Sequence, residues 1–122
     1  MGKVKELFDT NILIDFLQGR DDARTELNRY AEVAISRISW MEVLVGARTH
    51  REVELRKSFL ANFIIVELDE QVAAVAIELR RSARLKLPDA IILASARVQQ
   101  MSLVTRNHRD FPPAEPGIRI PY

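Results

Sequence analysis

Phe8-Asp9-Thr10-Asn11-Ile12-Leu13-Ile14-Asp15 sets the architecture, because a short apolar segment ends at an aspartate and a helical pattern begins at once. Val4 to Phe8 reads as a strand. Asn11 to Leu17 then carries Ile12, Leu13, Phe16 and Leu17 on one helical stripe, which Gly19 ends. In an α/β fold such a junction lies at the carboxyl end of a strand, where these folds place their ligands. Glu42 and Asp89 stand at the same kind of junction further along. Three carboxylates brought to one rim of a sheet repel each other unless a cation sits among them.

Outward from this stretch, strand and helix patterns alternate. Asp21 or Asp22 can cap a second helix with Ala23, Leu27 and Tyr30 on one face, and Val33 to Ser36 forms a second strand. Ser39 is placed to start a helix with Trp40, Val43, Leu44 and Ala47 inward. A more polar helix spans Glu52 to Ala61, anchored by Leu55 and Phe59. Phe63-Ile64-Ile65-Val66 is a β-branched strand. Asp69 can cap a long helix whose Val72, Val75, Ala76, Leu79 and Ala83 recur at helical spacing. Pro88 suits the first position of a helix that is apolar almost all round from Ala90 to Ala96. Ser102 to Thr105 gives a fourth strand, Pro112 to Gly117 a loop, and Ile118 to Ile120 a short edge strand. This order predicts a single domain over residues 1–122: a three-layer α/β/α sandwich on a mostly parallel, Rossmann-like sheet of four to five strands.

The chain has 122 residues, 48% hydrophobic and 29% charged, which suits an ordinary globule with a proper core. Lys and Arg total 18 against 17 Asp and Glu. That near balance leaves a nucleic-acid partner open, since an acidic pocket cancels a basic surface in the sum. No cysteine is present, which excludes disulfides, zinc–thiolate sites and thiol catalysis. Neither an apolar leader nor a membrane-spanning run is legible, so a cytoplasmic protein without a leader is expected.

Each acid has an ordinary structural use as well. Asp9 can cap the helix that follows, but Thr10 and Asn11 compete for that position, which frees Asp9 for another role. Ser39-Trp40-Met41-Glu42 has the form of a capping box, so Glu42 gains functional weight only from its company. Asp89 lies in the first turn of the most apolar helix, where its charge needs a cation or a crevice. Thr105-Arg106-Asn107-His108-Arg109-Asp110 follows the fourth strand, where Asn107 and Asp110 are also ordinary cap and turn residues. Oxygen ligands with only two histidines point to Mg²⁺ or Mn²⁺ rather than zinc. Mg²⁺ completes its shell with water and phosphate oxygens, which suits a phosphodiester substrate.

With these residues in order, the chain resembles the PIN-domain nucleases, and among them the VapC-type toxins of toxin–antitoxin pairs. The resemblance is carried by Phe8 to Asp15, Ser39 to Ala47, Leu87-Pro88-Asp89-Ala90-Ile91-Ile92-Leu93-Ala94 and Leu103-Val104-Thr105-Arg106-Asn107. It implies Mg²⁺- or Mn²⁺-dependent endoribonuclease activity, homodimers or toxin–antitoxin hetero-oligomers, and silencing by a cognate VapB-type antitoxin. By position, Asp9, Glu42 and Asp89 match three acids of the family. The fourth acidic position falls on Asn107, with Asp110 as a substitute source of charge, so one metal rather than two is expected.

On that resemblance Asp9, Glu42 and Asp89 converge to chelate the ion, Asp9 and Asp89 directly or through water, and Glu42 also orients or deprotonates the attacking water. Asn107 or Asp110 completes the outer shell, and the products carry a 3′-hydroxyl and a 5′-phosphate. Thr10, Asn11, Ser39 and Thr105 are candidates to fix carboxylate rotamers. Lys86 and Arg106 are candidate phosphate contacts beside the site, whereas Arg80, Arg81 and Arg84 suit a solvated face. Aromatic residues beyond the needs of the rim (Phe16, Tyr30, Trp40 and Phe59) suit a partner groove or simply the core. The rival is a non-catalytic PIN-like module that binds RNA or protein. A receiver domain would need adjacent acids after the first strand and a lysine after the last. A phosphatase with an aspartate nucleophile would need an acid where Asn11 stands.

Overall fold

A computed structural model describes residues 5–111 and 115–122. The expected start of the first strand at Val4 and the Pro112–Ala114 part of the expected loop lie outside the described residues. Eleven elements follow in chain order: β1 (Lys5–Phe8), α1 (Thr10–Leu17), α2 (Asp21–Asn28), β2 (Glu32–Ser36), α3 (Arg37–Val45), α4 (His50–Leu60), β3 (Ile64–Val66), α5 (Glu70–Ser82), α6 (Leu87–Val98), β4 (Leu103–Val104) and β5 (Ile118–Arg119). Gly19 takes a φ of 84°, which lets the chain reverse between α1 and α2 without a Cβ penalty.

The strands form one parallel sheet in the order β3-β2-β1-β4-β5. Residues pointing to one face of it (Leu7, Ala34, Leu103) pack with Val72, Ala76 and Leu79 of α5 and with Ala90 to Ala94 of α6. The alternate residues (Phe8, Val33, Ile35, Val104) pack with Ile12, Leu13, Ala23, Val43 and Leu60 on the opposite face. Two apolar layers sandwich the sheet, as expected for parallel strands buried on both sides. The chain runs outward from β1 through β2 to β3, then returns to place β4 on the other side of β1. That reversal of strand order opens a crevice between the carboxyl ends of β1 and β4.

Several boundaries depart from the sequence expectation. Helix α3 begins at Arg37, and Ser36 is its cap, with the Ser36 hydroxyl accepting from the Ile38 N–H at 3.2 Å. Ser39 therefore sits inside the helix, and no Ser39–Glu42 capping box forms. Helix α4 starts earlier than expected, capped by Thr49, and Leu55 is exposed instead of anchoring it; Leu60 is the buried residue. Leu87 precedes Pro88 in α6. The long helix capped by Asp69 and the apolar α6 lie where the spacing places them.

Candidate active site

Asp9 directly follows β1 and caps α1, so the chain geometry holds its carboxylate at the mouth of the crevice. Thr10 and Asn11 do not take the cap, contrary to the expectation from their crowding. Asp9 Oδ1 accepts from the Thr10 N–H at 2.7 Å. Its Oδ2 accepts from the Thr105 hydroxyl at 2.8 Å and, at the long distance of 3.4 Å, from the Asn11 amide. Thr105 stands just past β4, so this bond spans the reversal point from one strand to its neighbour. The Thr105 oxygen also accepts from Asn11 Nδ2 at 3.1 Å and from the Asn107 N–H at 3.0 Å. One donated and two accepted bonds use the whole capacity of this buried hydroxyl.

Glu42 projects from the second turn of α3, beyond reach of that helix's cap. The Thr10 hydroxyl donates to its Oε1 at 2.6 Å and lies 2.8 Å from the Ser39 hydroxyl. A hydroxyl has one proton to give, so with Thr10 committed to the carboxylate, Ser39 supplies the second contact. Thr10 and Ser39 thus tie α1 to α3 and fix the direction of Glu42. Asp89 comes from the first turn of α6, on the other face of the sheet. Asp9, Thr10, Asn11, Ile14, Glu42, Asp89, Ile92, Arg106 and Asn107 line one cleft of about 410 Å³.

The electrostatics of this cleft are adverse to its own charges. Burial pushes the Asp9 carboxyl above its usual 3.8; hydrogen bonds from Thr105 and Thr10 oppose that rise, while Glu42 and Asp110 add to it. Burial likewise pushes Asp89 up to about 6, reinforced by Asp9, Asp110 and Glu42 and opposed by Lys86. Asp110 therefore acts on both acids. It is held by Asn107, whose Nδ2 donates to Asp110 Oδ2 at 2.5 Å while its Oδ1 accepts from the Arg109 and Asp110 N–H groups. A divalent cation fits this donor set on charge grounds. Among the described residues no three His, Asp or Glu side chains are arranged to close on one ion. Mg²⁺ does not require that arrangement, because it commonly takes one or two carboxylates and keeps several waters.

Two buried acids were invisible as such in the sequence. Asp15 receives Arg106 in bidentate fashion (Nε 2.7 Å, Nη2 3.1 Å) and the Tyr122 hydroxyl at 2.7 Å. Burial would raise its pKa, but these two partners and Arg20 hold it below the usual value. Arg106 lines the cleft as expected, but its guanidinium is committed to Asp15. Glu26 in α2 is likewise buried and receives Arg29 at 3.0 Å and Arg119 at 2.5 Å. Lys86 caps α6 beside Asp89, its carbonyl accepting from the Ala90 N–H, and its side chain makes no hydrogen bond or ion pair among the described residues.

A family model for the PIN domain matches residues 7–113. Ribonuclease VapC10 of Mycobacterium tuberculosis is 33% identical over 114 residues, which covers 87% of this chain and 85% of that protein. Among solved structures, a chain in a toxin–antitoxin complex from Klebsiella pneumoniae superposes with a TM-score of 0.90 at 43% identity, covering 96% of this chain and 98% of that one. A chain of the DNA-bound VapBC from Salmonella typhimurium superposes at 0.78 with 27% identity, over 97% of each chain. The chain belongs to the PIN-domain family, and within it to the VapC type.

Proposed function

We propose that this protein is the toxin of a toxin–antitoxin pair, a divalent-metal-dependent endoribonuclease that hydrolyses phosphodiester bonds and is silenced by a VapB-type partner. The relatives support the assignment: one carries the name ribonuclease and others were solved as toxin–antitoxin complexes. One observation carries it on chemical grounds. Four elements, β1, α1, α3 and α6, deliver Asp9, Glu42 and Asp89 to a single cleft, and burial and mutual repulsion raise the pKa of Asp9 and Asp89. A fold has no structural reason to keep such a cluster without a cation.

Mg²⁺ or Mn²⁺, when bound, makes water a better nucleophile and neutralises charge on the scissile phosphate. Asp9 and Asp89 would hold the ion, and the Thr10 N–H and Thr105 hydroxyl fix the Asp9 carboxylate in one orientation. The Thr10 contact leaves Glu42 Oε2 free of any bond among the described residues, so it orients the attacking water and takes its proton. Asn107 places Asp110 as the outlying fourth charge. The leaving strand departs with a 3′-hydroxyl and the other product keeps a 5′-phosphate. Incubating the purified protein with RNA, with and without Mn²⁺, tests the reading. Cleavage that EDTA and Asp9→Asn both abolish supports it. Equal activity in Asp9→Asn assigns the cleavage to a contaminant, and no cleavage of any RNA leaves a binding module in its place.

A further inference from the structure

A second cavity, of about 520 Å³, shares a wall with the acidic cleft: Asn11, Arg106 and Asn107 line both, and His108, Arg109 and Tyr122 complete it. Its volume lies in the range that takes a small organic ligand such as a nucleotide. Its chemistry is the reverse of the cleft's. No Asp or Glu side chain lines it, and three of its six residues are Arg or His. The two arginines are not equivalent. Arg106 gives Nε and Nη2 to Asp15, whereas the side chains of Arg109 and His108 make no hydrogen bond or ion pair among the described residues. Tyr122 is anchored at its hydroxyl by Asp15 and backed by the Arg20 guanidinium, 4.4 Å from the ring centroid. The ring also packs against the apolar layer on the Phe8 face of the sheet and lines the cavity, so what it presents there is a fixed surface on which a flat group can lie.

We infer that this cavity seats the nucleotide beside the scissile phosphate of a single-stranded RNA, its base stacked on Tyr122 and its phosphate held by Arg109. The inference rests on the ribonuclease reading and specifies how the substrate lies across the site. A phosphate at the cleft alone meets Asp9, Glu42 and Asp89. The free guanidinium of Arg109 in the neighbouring cavity offsets that repulsion on one side and so gives the strand a direction. Stacking on a protein ring requires a base out of its own stack, which favours a single strand over a duplex.

Binding of a fluorescein-labelled, mixed-sequence single-stranded RNA 12-mer, read by anisotropy in EDTA on the Asp9→Asn protein, tests this without any cleavage. Replacement Tyr122→Leu is expected to weaken binding on the order of tenfold, while Tyr122→Phe, which keeps the ring and loses the bond to Asp15, stays close to the parent. Arg109→Ala removes an exposed, unpartnered side chain and leaves the melting curve unchanged. It should flatten the plot of log affinity against log salt by about 0.7, the loss of one phosphate contact on a single strand. The same sequence as a duplex should bind more weakly. Equal loss in Tyr122→Phe and Tyr122→Leu would mean that the hydroxyl latch alone matters, and would overturn the stacking role. Unchanged binding in both Tyr122→Leu and Arg109→Ala, equal binding of the duplex, or no binding by the parent would overturn the subsite. Because no metal is present, a failure here is separate from a failure of RNA cleavage with Mn²⁺.

Discussion

Thr105, though uncharged, connects as many parts of the site as the Asp9 carboxylate does. Its hydroxyl joins Asp9, Asn11 and the Asn107 backbone across the gap between β1 and β4, and it is wholly buried. Thr105→Val keeps the shape and removes every one of those bonds. Mn²⁺ affinity measured by titration calorimetry should fall by about 10–100-fold, as for other partners that orient metal ligands. Parental affinity in this variant would show that the Asp9 rotamer is fixed by the Thr10 backbone alone. Glu42 makes the complementary case. In Glu42→Gln the amide oxygen still accepts from Thr10, so geometry survives while the proton acceptor is lost. Turnover should drop by about 10²–10⁴-fold with a far smaller change in Mn²⁺ affinity. If affinity and turnover fall together, Glu42 is a direct ligand and not the base.

Helix α3 shows how an element decides what its residues do. Its cap is Ser36, the last residue of β2, where that strand still pairs with Val66 of β3. Ser36→Ala should cost about 1 kcal/mol, read as a lower midpoint in urea, and should reduce activity as well because Glu42 rides on this helix. The spacing Ser39-x-x-Glu42 had the form of a cap, but Ser36, which already ends the strand, takes the Ile38 N–H, so the helix begins three residues earlier. The large features were legible because each is written locally. The apolar run before Asp9, the β-branched run before Asp69 and the all-apolar α6 needed no distant partner to be read. Asp15 and Glu26 were not legible for the opposite reason. Their main partners, Arg106 and Arg119, lie 91 and 93 residues away, and an acid with no visible partner reads as surface. Leu55 misled because one apolar residue on a polar helix fixes no face.

At the scale of the molecule, two sets of acids pull stability in opposite directions with pH. Asp15 and Glu26 are each drawn into apolar surroundings, which alone would raise their pKa, but arginine partners hold them below the usual 3.8 and 4.5. The folded chain therefore binds fewer protons there than the unfolded one, and their contribution, present above those values, is lost as pH falls through the lower folded values. Asp89 has a folded value near 6 against 3.8 in the free side chain, and Asp9 is raised as well, both chiefly by burial. For these two the folded chain binds more protons, so stability declines as pH rises through that interval. The metal-free protein should accordingly melt highest on the acid side of neutrality, at about pH 4–5, and lose on the order of 1 kcal/mol by pH 7.5 after allowing for solvent screening at the half-buried Asp89. For a chain of this size that is a few degrees in Tm. Asp89→Asn should recover most of that loss in EDTA while abolishing cleavage. Saturating Mn²⁺ should raise the Tm of the parent at pH 7.5 but not that of the variant to the same extent, because only the parent keeps both carboxylates for the ion. Scanning calorimetry from pH 4 to pH 8, with EDTA and with Mn²⁺, measures all three curves. A metal-free Tm that climbs steadily to pH 7.5 would mean that the acids of the cleft do not repel one another, and the case for a resident cation would lose its physical basis.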